Sequence, residues 1–183
     1  MSTSRVSIDA PRREIPPALT EASAFGPSQV AGDWRSRLGN DVPRTLGHWF
    51  ATRPSTIVKE GTHRTVYRLD VSERTLFVKH YHAQGMFRRW LGPFRTSSAK
   101  SEWSHNERAA RCGIDTPHAV AWLEIARGPR RGESFLVSES LDDCVSLDEA
   151  EARVGRSVSR PAQARLRRLL MTSLIRTVAL AHR

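Results

Sequence analysis

The sequence predicts an α+β fold whose centre is an antiparallel five-stranded sheet with one helix packed on it. Three observations predict it. Short β-rich runs follow one another from Ser55, with tight turns between them. A single helical stretch over 97–113 then separates those runs from an apolar hairpin. After the hairpin, the apolar residues recur at helical spacing. Strands grouped first and helices grouped later are the pattern of α+β architecture, because no strand–helix alternation supplies parallel crossovers.

The elements follow in chain order. Residues 1–45 are rich in Pro, Ser, Arg and Gly with few periodic aliphatics, and read as a mostly disordered leader. In DWRSRLGNDVPRTLGHWF, the residues Trp34, Leu38, Leu46, Trp49 and Phe50 suffice to dock a short helix or loop onto a domain over 46–141. STIVKEG reads as a strand ending at a glycine, RTVYRLDV as a second strand, SER as a turn and TLFVKHYH as a third strand. Three strands joined by short turns form a meander. SSAKSEWSHNERAARCG carries serine caps, Ala99, Trp103, Ala110 and Cys112 near one side, and Gly113 as a stop. TPHAVAWLEIARGPRRGESFLVSES gives two apolar strands around a Gly/Pro turn. Over 142–183, Ser146 caps a short helix, and Pro161 opens a long one striped by Leu166, Leu169, Leu170, Leu174, Val178 and Ala181.

Composition narrows the function classes. A chain of 183 residues has room for one ordinary domain of about 100–150 residues. Its formal charge of +10 favours anionic partners. Cys112 and Cys144 stand far apart without the ligand spacing of a zinc site, so no metal site is expected. MSTSRVSIDAPRREIPP has no apolar core segment, so no signal peptide is expected. No run approaches the ~20 apolar residues of a membrane span. A reducing cytoplasm is the expected compartment.

One residue organises the search for chemistry. Lys79 sits among Leu76, Phe77, Val78 and Tyr81. Such a lysine is either on a polar strand face or a charge held inward for a purpose. The element order resembles the small lobe of a protein-kinase-like fold entering the first helices of its large lobe. In that fold a lysine on the third strand reaches the α- and β-phosphates of ATP, and a glutamate from the next helix holds it. By that resemblance Lys79 is the lysine and Glu102 its partner. Glu107 is the rival, and Glu102 is preferred as the first acid after Glu73 in a long basic interval. The plainer reading, a surface lysine and a solvated glutamate, stays open.

The same resemblance assigns KEGTHRTVY to the phosphate-covering loop. Gly61 matches its middle glycine, Thr62, His63 and Arg64 would contact phosphate, and Val66 would cover the adenine. SFLVSESLDD matches the strand and hinge that hold the base through backbone groups of Glu139, Ser140 and Leu141.

Taken together, GTHRTVYRL, LFVKHYH, SSAKSEW, ERAARCGIDTP and ESFLVSESL resemble the lipopolysaccharide core kinases, which phosphorylate Kdo or heptose sugars of the inner core. The resemblance covers roughly residues 55–183. It implies ATP with Mg²⁺, transfer to a sugar hydroxyl, and a place at the cytoplasmic face of the inner membrane. The implied catalytic aspartate, its asparagine and the Mg²⁺ ligands would fall after the long helix. The chain is therefore expected to hold an incomplete large lobe and to be inactive by itself, with an apolar stripe prone to association.

Between Lys79 and Lys100, Arg88, Arg89 and Arg95 interleave with Met86, Phe87, Trp90, Leu91 and Phe94. That composition suits either an anionic lipid surface or aromatic packing on the lobe with solvated arginines. No nucleic-acid motif accompanies the charge, so no nucleic acid is expected. Two other functions remain: a nucleotide- or anion-binding pseudokinase module, and a basic peripheral membrane adaptor.

Overall fold

The computed structural model of the chain describes residues 15–21, 24–83, 96–127, 132–141, 144–145, 147–156 and 159–181. It divides into two compact units, one of Met1–His105 with Pro117–Ser140 and one of Asn106–Thr116 with Leu141–Arg183.

Among the described residues, the first unit is built on a six-stranded antiparallel sheet. Its elements are α1 (Pro17–Glu21), β1 (Ala24–Val30), a 3₁₀ turn (Gly32–Trp34), α2 (Arg35–Leu38), α3 (Val42–Thr52), β2 (Ser55–Lys59), β3 (Arg64–Val71), β4 (Arg74–Tyr81), β5 (Ala119–Arg127) and β6 (Ser134–Glu139). The strand order is β1-β5-β6-β4-β3-β2, so β2, β3 and β4 form the expected meander. Helix α4 (Ser98–Arg111) begins in this unit.

The structure differs from the sequence reading at the amino-terminal end. The sheet has six strands instead of five, because Ala24–Val30 pairs with β5 from Ala24↔Arg127 to Val30↔Ala121. Those residues belong to the stretch read as a disordered leader. The register shifts twice along this pairing, which erases the alternation that would mark a strand. Pro27 is tolerated because β1 is an edge. At Gly26 an added Cβ would lie 3.2 Å from the Cβ of Ala126, so the strands approach where a side chain would crowd.

Alternation along each strand divides the sheet into two faces. On one face Leu69, Leu76, Val78, Leu123, Phe135 and Val137 join Trp34, Leu38, Val42, Leu46, Trp49 and Phe50 in a single core. Phe50 meets Tyr67 edge to face at 5.5 Å. Asp41 caps α3 by accepting the Arg44 N–H, and Pro43 fills its first turn. Ala18, Trp34, Leu38 and Val42, which precede residue 46, thus help to cover the sheet. Each fully buried Leu, Val or Phe in such a core stabilises by ~1.5–3 kcal/mol.

On the opposite face, α4 packs Ala99 and Trp103 against Trp122 and Leu136. Two serines fix where the helix starts. Ser97 Oγ accepts the Lys100 N–H at 3.3 Å, and Ser134 Oγ of β6 accepts the Ala99 N–H at 3.4 Å. Both satisfy amides that a first helical turn leaves without partners. At the other end Gly113 takes φ +72°, with Gly113 N–H on Ala110 O and Ile114 N–H on Ala109 O, which is a Schellman stop.

The second unit holds α5 (Leu147–Arg156) and α6 (Arg160–Ala181), joined where Gln163 Nε2 donates to Gly155 O at 3.5 Å. Along α6, Leu166, Leu169, Met171, Leu174, Ile175 and Val178 are exposed. Among the described residues no helix is long and apolar enough to cross a membrane.

Candidate functional site

The site forms on the α4 face, where three strands lie in register. Lys79 of β4 is opposite Val66 of β3 on one side and Leu136 of β6 on the other. Tyr81, two residues on, shares its face. The paired neighbours Leu76, Val78 and His80 point into the other core or are buried there. Lys79 is therefore on the helix-covered face, and only about a quarter of its side chain is exposed (23%).

Glu102 meets it from α4. Lys79 Nζ donates to Glu102 Oε1, and Tyr81 Oη donates to Glu102 Oε2, so each carboxylate oxygen has its own donor. Ala99 and Trp103, one turn before and one residue after, hold the helix on Leu136 and Trp122 and so fix where Glu102 projects. Burial pushes the Glu102 carboxyl up. Hydrogen bonds from Lys79 and Tyr81, with the charges of Lys79 and Arg64, outweigh this and hold it below the ordinary glutamate value. Tyr81 is driven above the usual phenol range, first by burial and then by its bond to the Glu102 carboxylate. The site is thus a charged pair with a neutral phenol bound to it.

Arg64 adds a second cation beside the pair. Its guanidinium lies 5.9 Å from the centroid of the Tyr81 ring, and Arg64 is directly opposite Tyr81 in the ladder. Beside it the β2–β3 loop is tied down, since the His82 N–H donates to His63 O at 3.0 Å. His82 Nε2 is in turn hydrogen-bonded to Thr65 Oγ1 at 3.0 Å.

The other sequence-selected residues are placed as follows. Gly61, Thr62 and His63 form an exposed loop between β2 and β3. Gly61 has no left-handed φ, and a Cβ there would meet nothing nearer than Arg64 O at 3.5 Å, so the backbone does not demand glycine. Glu139 lies three residues along β6 from Leu136, about 10 Å at strand rise. Its carboxylate accepts from Trp34 Nε1 at 3.0 Å and pairs with Arg74. The Glu139 N–H donates to His118 O and the Ser140 N–H to Thr75 O, so both amides are engaged within the chain. Leu141 belongs to the second unit and is exposed. Glu107 is exposed on α4, its carbonyl accepting from Arg111 Nε. The basic aromatic residues Met86, Phe87, Arg88, Arg89, Trp90, Leu91, Phe94 and Arg95 lie outside the described residues.

Sequence reasoning missed Tyr81 and Ser134. Tyr81 carried a usable signal, because a residue two positions from Lys79 on one strand must share its face. Ser134 carried none, since its role appears only when β6 lies beside the start of α4. Among the described residues no three His, Cys, Asp or Glu side chains gather as metal ligands would.

Comparison with known proteins bears on this arrangement. The chain is 31% identical over 131 residues to the lipopolysaccharide core heptose(I) kinase WaaP of Pseudomonas aeruginosa, a match covering 69% of this chain. It spans about half the length of that relative (48%). A solved structure described as WaaP in complex with acyl carrier protein superposes with a TM-score of 0.60 at 24% identity, covering 86% of this chain and 57% of that one. That likeness supports the kinase-like α+β fold. The family described as lipopolysaccharide kinase (Kdo/WaaP) matches residues 48–183, which include Lys79, Glu102, Tyr81 and Arg64. The chain belongs to the lipopolysaccharide kinase (Kdo/WaaP) family.

Proposed function

We propose that this chain clamps the phosphates of ATP for phosphoryl transfer to a sugar hydroxyl of the lipopolysaccharide inner core. The observation that supports this most is the Lys79–Glu102 pair on the covered face of the sheet. A triphosphate concentrates negative charge, and an ammonium fixed on a strand can meet it without reorganising. Glu102 keeps the long lysine side chain in one place, and Arg64 brings a second positive charge from the loop side. Val66, in register with Lys79, offers an apolar surface to the adenine. With the Glu139 and Ser140 amides engaged, backbone contact to the base at that end of β6 would use carbonyl acceptors.

In the transfer itself the sugar oxygen bonds to the γ-phosphorus. The bond from that phosphorus to the β,γ-bridging oxygen breaks, ADP leaves, and the hydroxyl proton passes to a base. Lys79, Glu102 and Arg64 stabilise charge in this scheme and move no proton. The base and the Mg²⁺ ligands are assigned to none of the described residues. Mg²⁺ supplies charge neutralisation between phosphates when bound, and finds no cluster of three ligands among them. A chain with formal charge +10 is suited to an anionic membrane surface at the inner face, and the acyl carrier protein in the solved relative's complex makes a protein partner the alternative.

The test is protection from thermal unfolding. ATP is expected to raise the melting temperature of the wild-type chain and to leave Lys79→Ala unmoved. Equal protection of both proteins would overturn the assignment of Lys79 to the phosphates. Vesicle binding lost in Arg88→Glu/Arg89→Glu, with no ATP effect on either protein, would favour the membrane adaptor.

A further inference from the structure

The residue left unexplained by a lysine–glutamate pair is Tyr81. Glu102 is held at two points, by Lys79 through Oε1 and by Tyr81 through Oε2. A carboxylate with one partner can rotate and release it. With a second donor on the same strand, rotation breaks two bonds instead of one. Both donors come from β4, so α4 is tied through Glu102 to a single rigid strand. Independent contacts secure the same helix, at its start through Ser134 and through Trp103 against Trp122 and Leu136.

We propose that Tyr81 is a positioning residue that latches Glu102 onto β4, so that the Lys79–Glu102 pair stands assembled before any nucleotide arrives. The latch also reaches the loop. Arg64 sits over the face of the Tyr81 ring while the ring's hydroxyl holds Glu102. An anion drawn to Arg64 therefore meets a cation whose packing depends on the residue that orders the lysine pair. Electrostatics agree with the geometry. The groups facing Glu102 are Lys79 and Tyr81 of β4 and Arg64 of β3, and their bonds and charges hold its carboxyl down.

This inference rests on the phosphate-clamping reading of Lys79, and its test separates the two. Tyr81→Phe keeps the ring beneath Arg64 and removes the hydroxyl that donates to Glu102 and accepts from Arg64. In the ligand-free chain, the ¹³Cδ resonance of Glu102 followed through pH should titrate at higher pH in Tyr81→Phe than in wild type. An unchanged midpoint would overturn the latch, whether or not nucleotide binds. ATP affinity is then measured in wild type, Tyr81→Phe, Glu102→Gln and the double variant. Tyr81→Phe should weaken ATP by about tenfold, the scale of one hydrogen bond to a charged group. The penalty should vanish in the Glu102→Gln background, because Tyr81 acts through that carboxylate. An equal penalty in both backgrounds would overturn the proposal. A wild-type chain that binds no ATP would sink the phosphate reading alone and leave the Glu102 titration to decide the latch.

Discussion

Trp34 and Glu139, 105 positions apart, are joined by a 3.0 Å hydrogen bond from the indole Nε1 to the carboxylate Oε1. Arg74 pairs with the same oxygen and lies 5.6 Å from the Trp34 ring centroid, with Arg37 at 5.4 Å. An amino-terminal turn thereby secures the end of β6. Trp34 stands before residue 48, where the family match begins, yet it is 1% exposed in the main core. Trp34→Ala should cost about 3–5 kcal/mol, through lost burial and the cavity left behind. Trp34→Phe, which keeps most of the ring and loses the bond, should cost less. Urea unfolding of the full chain measures both, and a near-neutral Trp34→Ala would mean that the segment is not part of the folded unit.

The other face of β4 carries a buried polar pair. His80 Nε2 and Glu133 Oε2 are 2.6 Å apart with side chains 5% and 6% exposed, and the His80 ring stacks on Phe135 at 4.4 Å. Glu133→Ala should destabilise by about 1–3 kcal/mol, since it removes one member of a buried hydrogen-bonded pair. A chemical denaturation curve with an unshifted midpoint would contradict this.

Glu102 gives the acid side of the stability profile a definite sign. Its carboxyl is held below the ordinary value of 4.5, so its contribution is complete above that value and is lost as pH falls through the lower folded value. Lys79→Met removes the first donor and should flatten the fall in stability over that acid window. Denaturation midpoints collected in steps below pH 5 compare the two proteins, and parallel curves would count against the coupling.

Tyr81 gives the alkaline side the opposite sign. Its phenol is raised above the ordinary 10.0, so its contribution is complete below that value and is lost as pH rises through the folded one. The chain has two tyrosines, and Tyr67→Phe keeps the ring against Phe50, leaving Tyr81 as the reporter. Ultraviolet titration of that variant should show little tyrosinate at pH 10 while the fold persists. A midpoint at or below pH 10 in folded protein would be incompatible with the bond to Glu102.

The elements legible in the sequence were those with local pattern. Strand β3 alternates Thr65, Tyr67, Leu69 and Val71 against Arg64, Val66, Arg68 and Asp70, and α4 carries its own serine cap and glycine stop. Strand β1 was not legible. AFGPSQV has no alternation, and its strand character comes from the free edge of β5, which lies about a hundred residues later. Lys79 and Glu102 could be chosen as a pair because each sits in a recognisable element. The occupation of both Glu102 oxygens was beyond reach, since it depends on how deeply α4 settles on the sheet. Gly61 shows the converse: a glycine chosen for its type takes a conformation that other residues can adopt.

In the proposed function the ammonium of Lys79, steadied by Glu102, faces bound polyphosphate. It is tested most directly by labelling the lysine side chains, assigning Lys79 by substitution, and following its ¹³Cε resonance as ATP is added. Lys79 should show a saturable shift that Glu102→Gln diminishes. A Lys79 resonance that stays still while ATP demonstrably binds would contradict it.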